Sequence, residues 1–151
     1  MSDHHAAIRW KRTSHDFSYD SYNRSHDVLF KDGRIALPGS AAPAFKGDGE
    51  RVDPEEAFVA SLSSCHMLTF LAICARKRLT VDAYDDDASG KLEKGPNGKL
   101  WMGHVTLRPR VRFAAGVAVD NATLDGIHHH AHAECFIANS VKTEVAVEPQ
   151  Y

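Results

Sequence analysis

Between Glu56 and Arg76 the chain carries no Asp, Glu, Lys or Arg. A helix built from so apolar a run has almost no face suited to water, so whatever folds around it must cover it nearly all round. Its start is well marked. Asp53 can accept from free N–H groups, Pro54 suits the first turn, and Glu56 completes a capping box. Glu55 and Glu56 also meet the positive end of the helix dipole, and Arg76, Lys77 and Arg78 suit the negative end, which predicts a helix to about Arg78. The run is long enough to raise the question of a membrane span. Ser61, Ser63, Ser64, His66 and Thr69 lie near its centre, and no other segment resembles a span, so a buried central helix of a soluble protein is expected. One hairpin and one shorter helix supply too little cover. An obligate homodimer burying well over ~2,000 Å² in total is therefore expected.

The remaining segments read as strands and one further helix. Ala7–Arg12, His26–Phe30 and Arg34–Leu37 have strand length and mixed polarity, with Asp32-Gly33 as a tight turn. Pro38–Gly49 is a Gly, Ala and Pro-rich loop. Val81–Lys94 and Lys99–Phe113 form a long hairpin turning at Gly95-Pro96-Asn97-Gly98. Asn121 to Ala138 follows as a helix with Leu124, Ile127, Ala131, Cys135 and Ala138 on one stripe, and Thr143–Val147 closes the chain as a strand. A chain of 151 residues with this order reads as a single α+β domain, 1–151.

Charge and cysteine usage narrow the function classes. A formal net charge of −2 with scattered basic residues excludes an electrostatic nucleic-acid binder; even Arg108–Arg112 alternates as one charged face of a strand. The first twenty residues contain no apolar signal-peptide core, and three cysteines without such a signal point to a cytoplasmic, reducing compartment. In that setting two thiols are catalytic or metal-binding rather than a permanent staple.

Cys74 lies nine residues beyond Cys65, on the opposite side of the helix and about 13 Å along it, so the two cannot share a site on a straight helix. Cys135 is different. It lies on the apolar stripe of the other helix, and face-to-face packing would bring it within disulfide range of Cys65, roughly 5.5–6 Å between Cα atoms. Glu55 is adequately explained as a helix-start residue. About 15 Å of helix separates it from Cys65, so only a second, antiparallel copy could bring a Glu55 near a thiol. His128 and His132 at i, i+4 with Cys135 three further on could hold zinc, against the plainer reading of a solvated polar face.

Asp53-Pro54-Glu55-Glu56-Ala57-Phe58-Val59-Ala60-Ser61-Leu62-Ser63-Ser64-Cys65-His66-Met67, together with Ala133-Glu134-Cys135-Phe136-Ile137-Ala138-Asn139-Ser140, resembles the OsmC/Ohr family of osmotically inducible and organic-hydroperoxide-resistance proteins. The order of elements fits too, so the resemblance covers essentially the whole chain. It implies an OsmC-like fold: antiparallel sheets around two central Cys-bearing helices, in an intertwined homodimer with sites at the subunit interface. It implies thiol-dependent reduction of organic hydroperoxides, without metal or organic cofactor, and with a dithiol or a lipoylated protein as reductant. By the same resemblance Cys65 matches the peroxidatic cysteine, Cys135 the resolving cysteine, and Glu55 the glutamate that holds a catalytic arginine. One position departs. The arginine expected just before the Phe-x-Gly segment is Ala44 here, ahead of Phe45-Lys46-Gly47. Lys46 and Arg51 are the nearest substitutes, and a nearby cation matters because it lowers a thiol's pKa. The departure leaves a second class open: a non-catalytic protein that binds a small apolar or electrophilic ligand in the dimer-interface pocket.

Overall fold

A computed structural model describes residues 1–151. The chain forms two compact units, Met1–Ala57 and Phe58–Tyr151. In the first, β1 (Ala7–Arg9), β2 (His26–Phe30) and β3 (Ile35–Gly39) make an antiparallel sheet in that order. The Asp32-Gly33 turn is there. Lys31, Asp32 and Gly33 all take positive φ (53°, 56° and 83°), a region Gly adopts freely and Asp with little penalty. A single turn of 3-10 helix, Pro43–Phe45, follows, with Lys46 left-handed behind it.

Helix α1 runs from Pro54 to Arg76. The expected capping box forms. Glu56 N–H donates to Asp53 Oδ1 at 2.8 Å, and Asp53 N–H donates to Glu56 Oε2 at 3.1 Å. The helix stops two residues short of the expected Arg78 because Arg78 itself turns left-handed (φ 59°). Leu79 N–H then returns to the Cys74 carbonyl at 2.9 Å, a Schellman closure. Leu62, His66, Phe70, Ile73 and Cys74 are buried. Ala57, Ser61, Ser64, Leu68, Ala72 and Ala75 recur at helical spacing and are exposed. The apolar helix is thus covered on one side and bare on another. It is also the one helix long and apolar enough to cross a membrane.

The second unit holds β4 (Val81–Asp86), β5 (Ser89–Lys94), β6 (Leu100–Leu107), β7 (Pro109–Phe113), α2 (Asn121–Glu134) and β8 (Glu144–Val147). The expected hairpin exists, broken near its middle into two sheets. β5 pairs with β6 beyond the Gly95–Gly98 turn, and β4 pairs with β7. Asp86 sits at that break. It accepts from the Arg108 N–H at 2.6 Å and from Ser63 Oγ of α1, which ties the helix to the sheet corner. β8 joins β6 in parallel.

Helix α2 is shorter than its apolar stripe implies. It starts on Asp120, whose carboxylate accepts from Thr123 N–H at 2.7 Å, and it ends at Glu134 rather than Ala138. Cys135 is extended (ψ 115°), and the Asn139 side-chain amide folds back on the Ala133 carbonyl at 2.8 Å, satisfying a free helix-end acceptor. Cys135 is therefore the last-turn cap of α2 and not a residue inside it.

Two apolar clusters fill this unit. Phe70, Ile73 and Cys74 of α1 pack with Leu124, Ile127 and Ala131 of α2. Leu62 of α1 packs with Val105 and Leu107 of β6.

Candidate functional site

The Cys65 thiol lies close enough to Cys135 to raise its pKa, although seventy residues separate the two in sequence. All three cysteines are free thiols. Cys65 is half-buried on α1, and Thr69 Oγ1 donates to its carbonyl at 2.9 Å. Cys135 is buried to 1 % exposure, and its Sγ accepts the Ala138 N–H at 3.4 Å. Burial first, and then the adjacent Cys65 thiol, push the Cys135 thiol up to about 11, against the opposing pull of the Ala138 and Ile137 backbone N–H groups. The pair is therefore asymmetric, with one half-buried cysteine and one buried, protonated thiol beside it. Phe136, next to Cys135, is 81 % exposed.

Cys74 is placed as the helix arithmetic requires. It sits in the apolar cluster with Phe70 and Ile73, and burial raises its thiol to about 11. It lines a cavity of about 300 Å³ with Leu71, Leu79 and Val81.

Glu55 stands in the first turn of α1 and makes no side-chain hydrogen bond or ion pair, whereas Glu56 is taken up by the cap. The two cations suggested in place of the missing arginine are both engaged within the first unit. Lys46 pairs with Asp20 at 2.8 Å, and Arg51 lies 3.6 Å from Asp48 and 3.9 Å from Asp27.

The zinc arrangement suggested for His128, His132 and Cys135 is not assembled; no three His, Cys, Asp or Glu side chains converge on a common point. The structure makes a different histidine grouping. His66 and His128 are 1 % and 2 % exposed, and their rings meet edge to edge in nearly one plane, centroids 5.3 Å and planes 8° apart. His66 Nε2 and His128 Nδ1 share a hydrogen bond of 3.0 Å, and Phe70 stacks on the face of His128 at 4.3 Å. Burial, followed by neighbouring His128 and His132, drives His66 down to about 4. Burial takes His128 to about 4 as well, against the opposing charges of Asp125 and Asp86. Both rings are therefore neutral at pH 7. Reading along the chain pairs His128 with His132, and only the helix crossing reveals His66 as its partner.

A second feature not drawn from the sequence lies in the first unit. Trp10, Phe17, Tyr22, Arg24, His26 and Ser40 line an aromatic cavity of about 410 Å³. The Arg24 guanidinium lies 3.9 Å from the centre of the Tyr22 ring and donates to the carbonyls of Tyr22 and Tyr19.

The profile of the family described as OsmC-like protein matches residues 47–150. The chain belongs to the OsmC-like family. Comparison with curated proteins gives no match. Among solved structures, an OsmC-like protein of unknown function from Vibrio cholerae is 44 % identical, with a TM-score of 0.94 over 99 % of this chain and 100 % of its own. Two remoter structures share the fold. An organic hydroperoxide resistance protein from Legionella pneumophila is 15 % identical with a TM-score of 0.70, covering 99 % of this chain and 97 % of its own. The organic hydroperoxide resistance protein OhrB of Bacillus subtilis is 16 % identical with a TM-score of 0.68, covering 97 % and 98 %. The mixed α+β OsmC-like fold is thus established for this chain.

Proposed function

We propose that this OsmC-like protein reduces organic hydroperoxides through Cys65 and Cys135. The observation that carries the proposal is the approach of a half-buried Cys65 to a fully buried Cys135 on a separate element, close enough for one thiol to raise the pKa of the other. The Cys65 thiolate attacks the terminal peroxide oxygen. The O–O bond breaks, the alkoxide takes a proton and leaves as alcohol, and Cys65 becomes a sulfenic acid. Cys135 then displaces water from that sulfenic acid to form the disulfide. An external dithiol, free or as a lipoylated protein, reduces it by two exchanges and is itself oxidised to a disulfide. The order of roles follows from the asymmetry: a thiol held near 11 and out of solvent is a poor first nucleophile, while the half-buried cysteine meets substrate first. Glu55, with no partner in its own chain, is available to orient a cation across a dimer. The working form is a cytoplasmic homodimer in which the exposed, uncharged face of α1 from Ala57 to Ala75 is covered by a second copy. Turnover of cumene hydroperoxide with dithiothreitol is the test. Activity in the native protein and none in Cys65→Ser supports the reading; equal rates in the two overturn it.

A second reading is a binding protein without turnover, favoured by the aromatic cavity around Trp10, Phe17 and Tyr22. Binding of cumyl alcohol, followed by Trp10 fluorescence in a Trp101→Phe background, separates the two readings. Saturable binding in a protein that turns over no peroxide favours the second.

A further inference from the structure

We propose that His66 and His128 form a positioning pair that holds Cys65 and Cys135 within disulfide reach. The inference rests on the reading of those cysteines as a redox couple and assigns that couple's geometry to residues that touch neither substrate nor sulfur. Four observations support it. The His66–His128 hydrogen bond is the only side-chain hydrogen bond between α1 and α2. Both rings are fully buried, and each makes no other bond: His66 Nδ1 and His128 Nε2 are without partners. A buried ring with one unsatisfied nitrogen is costly, so the bond that remains is the one worth keeping. Finally, the pair is placed to act on the thiols. His66 directly follows Cys65, and His128 lies two helical turns before Cys135, the cap of the same rigid helix.

The two rings meet edge to edge in nearly one plane, and their in-plane hydrogen bond, with Phe70 against the face of His128, sets the separation of the helices. The hydrogen bond fixes their slide and rotation. Because a disulfide tolerates only a narrow range of separation and dihedral angle, a small shift of α2 is felt at Cys135 as lost disulfide stability. The step concerned is a balanced exchange. Two protein thiols and one oxidised dithiothreitol give the Cys65–Cys135 disulfide and one reduced dithiothreitol.

The experiment is the equilibrium constant of that exchange at pH 7, with the bridge identified by peptide mapping. His128→Leu and His66→Met remove the polar link while keeping side-chain bulk. His128→Asn and His66→Gln each return an amide near the position of the hydrogen-bonding ring nitrogen. The removals should lower the constant at least tenfold, about 30 mV in the reduction potential, and the amides should return it to within about threefold of native. A constant unchanged in the removals, or amides that fare no better than Leu and Met, overturns the proposal. Should the removals not fold, the native protein decides. By reciprocity, closing the bridge must alter the imidazole 15N shifts of His66 and His128, and identical shifts in dithiol and disulfide forms overturn the proposal. If the native protein forms no Cys65–Cys135 bridge at any dithiothreitol ratio, the redox-couple reading fails and the pair's role falls with it. A bridge that forms normally with unaltered potentials sinks the pair alone.

Discussion

Cys65 and Cys74 stand nine residues apart on one helix and meet opposite surroundings. Cys74 faces the apolar cluster of Phe70, Ile73, Leu124 and Ile127, with no polar partner. Cys65 is half-buried beside a second thiol delivered from the end of α2. Residue type and helix are the same; chemistry follows from which side of α1 each sulfur leaves and what lies opposite. A thiol with neither access nor partner is packing material, and one with both is placed to react.

The largest expected effect breaks the two apart. Cys65→Ser should bring hydroperoxide turnover to background, while Cys74→Ser should retain most of it, measured as dithiothreitol-dependent loss of cumene hydroperoxide. Mild oxidation should link Cys65 to Cys135 and leave Cys74 free in a peptide map. A dominant Cys65–Cys74 bridge would contradict the straight α1.

Next in size is the acid response of the layer between them. His66 and His128 titrate near 4 in the folded protein and near 6.5 when unfolded, so the unfolded chain takes protons first. Stability is intact above about pH 6.5 and is lost as the pH falls from there toward 4. At about 1.4 kcal/mol for each tenfold change in proton affinity, each ring can cost up to about 3 kcal/mol across that interval. The fall to about 4 already includes the opposing charges of Asp125 and Asp86 at His128 and the neighbouring His132 at His66. Urea unfolding at fixed protein concentration should show midpoints falling between pH 7 and 5, with a shallower fall in a His66→Gln, His128→Asn double variant. A double variant as acid-sensitive as native would show that other groups govern the response.

Smaller again is the cost of treating Cys74 as core. Cys74→Ala removes one buried sulfur beside an existing cavity, so about 1 kcal/mol of stability should go. The Cys65–Cys135 exchange constant should stay where it was. Iodoacetamide should label Cys65 ahead of Cys74 and Cys135, which are buried and held near 11.

How much of this is legible in the sequence depends on how local the cause is. The Asp53–Glu56 capping box, the Asp32-Gly33 and Gly95–Gly98 turns and the opposed placement of Cys65 and Cys74 all arise within about ten residues, and all are found. That Cys135 can face Cys65 is suggested by the two apolar stripes, which imply a packing face. What escaped is non-local or terminal. The stripe through Cys135 and Ala138 predicts helix, and Leu124, Ile127 and Ala131 keep to it. The backbone nevertheless leaves the helix at Cys135, where Asn139 supplies an acceptor's partner that periodicity does not register. The parallel β6–β8 pairing, and His66 meeting His128 across 62 residues, depend on the whole packing. Of a histidine cluster whose spacing fits either a zinc site or a polar face with a few packed imidazoles, His128 alone forms half of a link between two helices.

The smallest expected effect concerns the cation that the sequence lacks before Phe45. Lys46 is held by Asp20 at 2.8 Å, and Arg51 is shared between Asp48 and Asp27. A cation already facing a carboxylate has most of its field cancelled a few ångströms away, and what remains is screened by salt. Lys46→Ala and Arg51→Ala should therefore leave the pH profile of iodoacetamide labelling at Cys65 unmoved. The same profile in Asp20→Asn and in an Asp27→Asn, Asp48→Asn double variant sharpens the point. Freeing the cation is the one change that could let its field reach beyond its own unit. A profile that moves to lower pH only in the Asn variants would mean that the ion pairs hold the cations in reserve. A shift to higher pH in Lys46→Ala or Arg51→Ala would instead make that residue the stand-in for the missing arginine, and the contrast between Cys65 and Cys74 would then rest on charge as well as on burial.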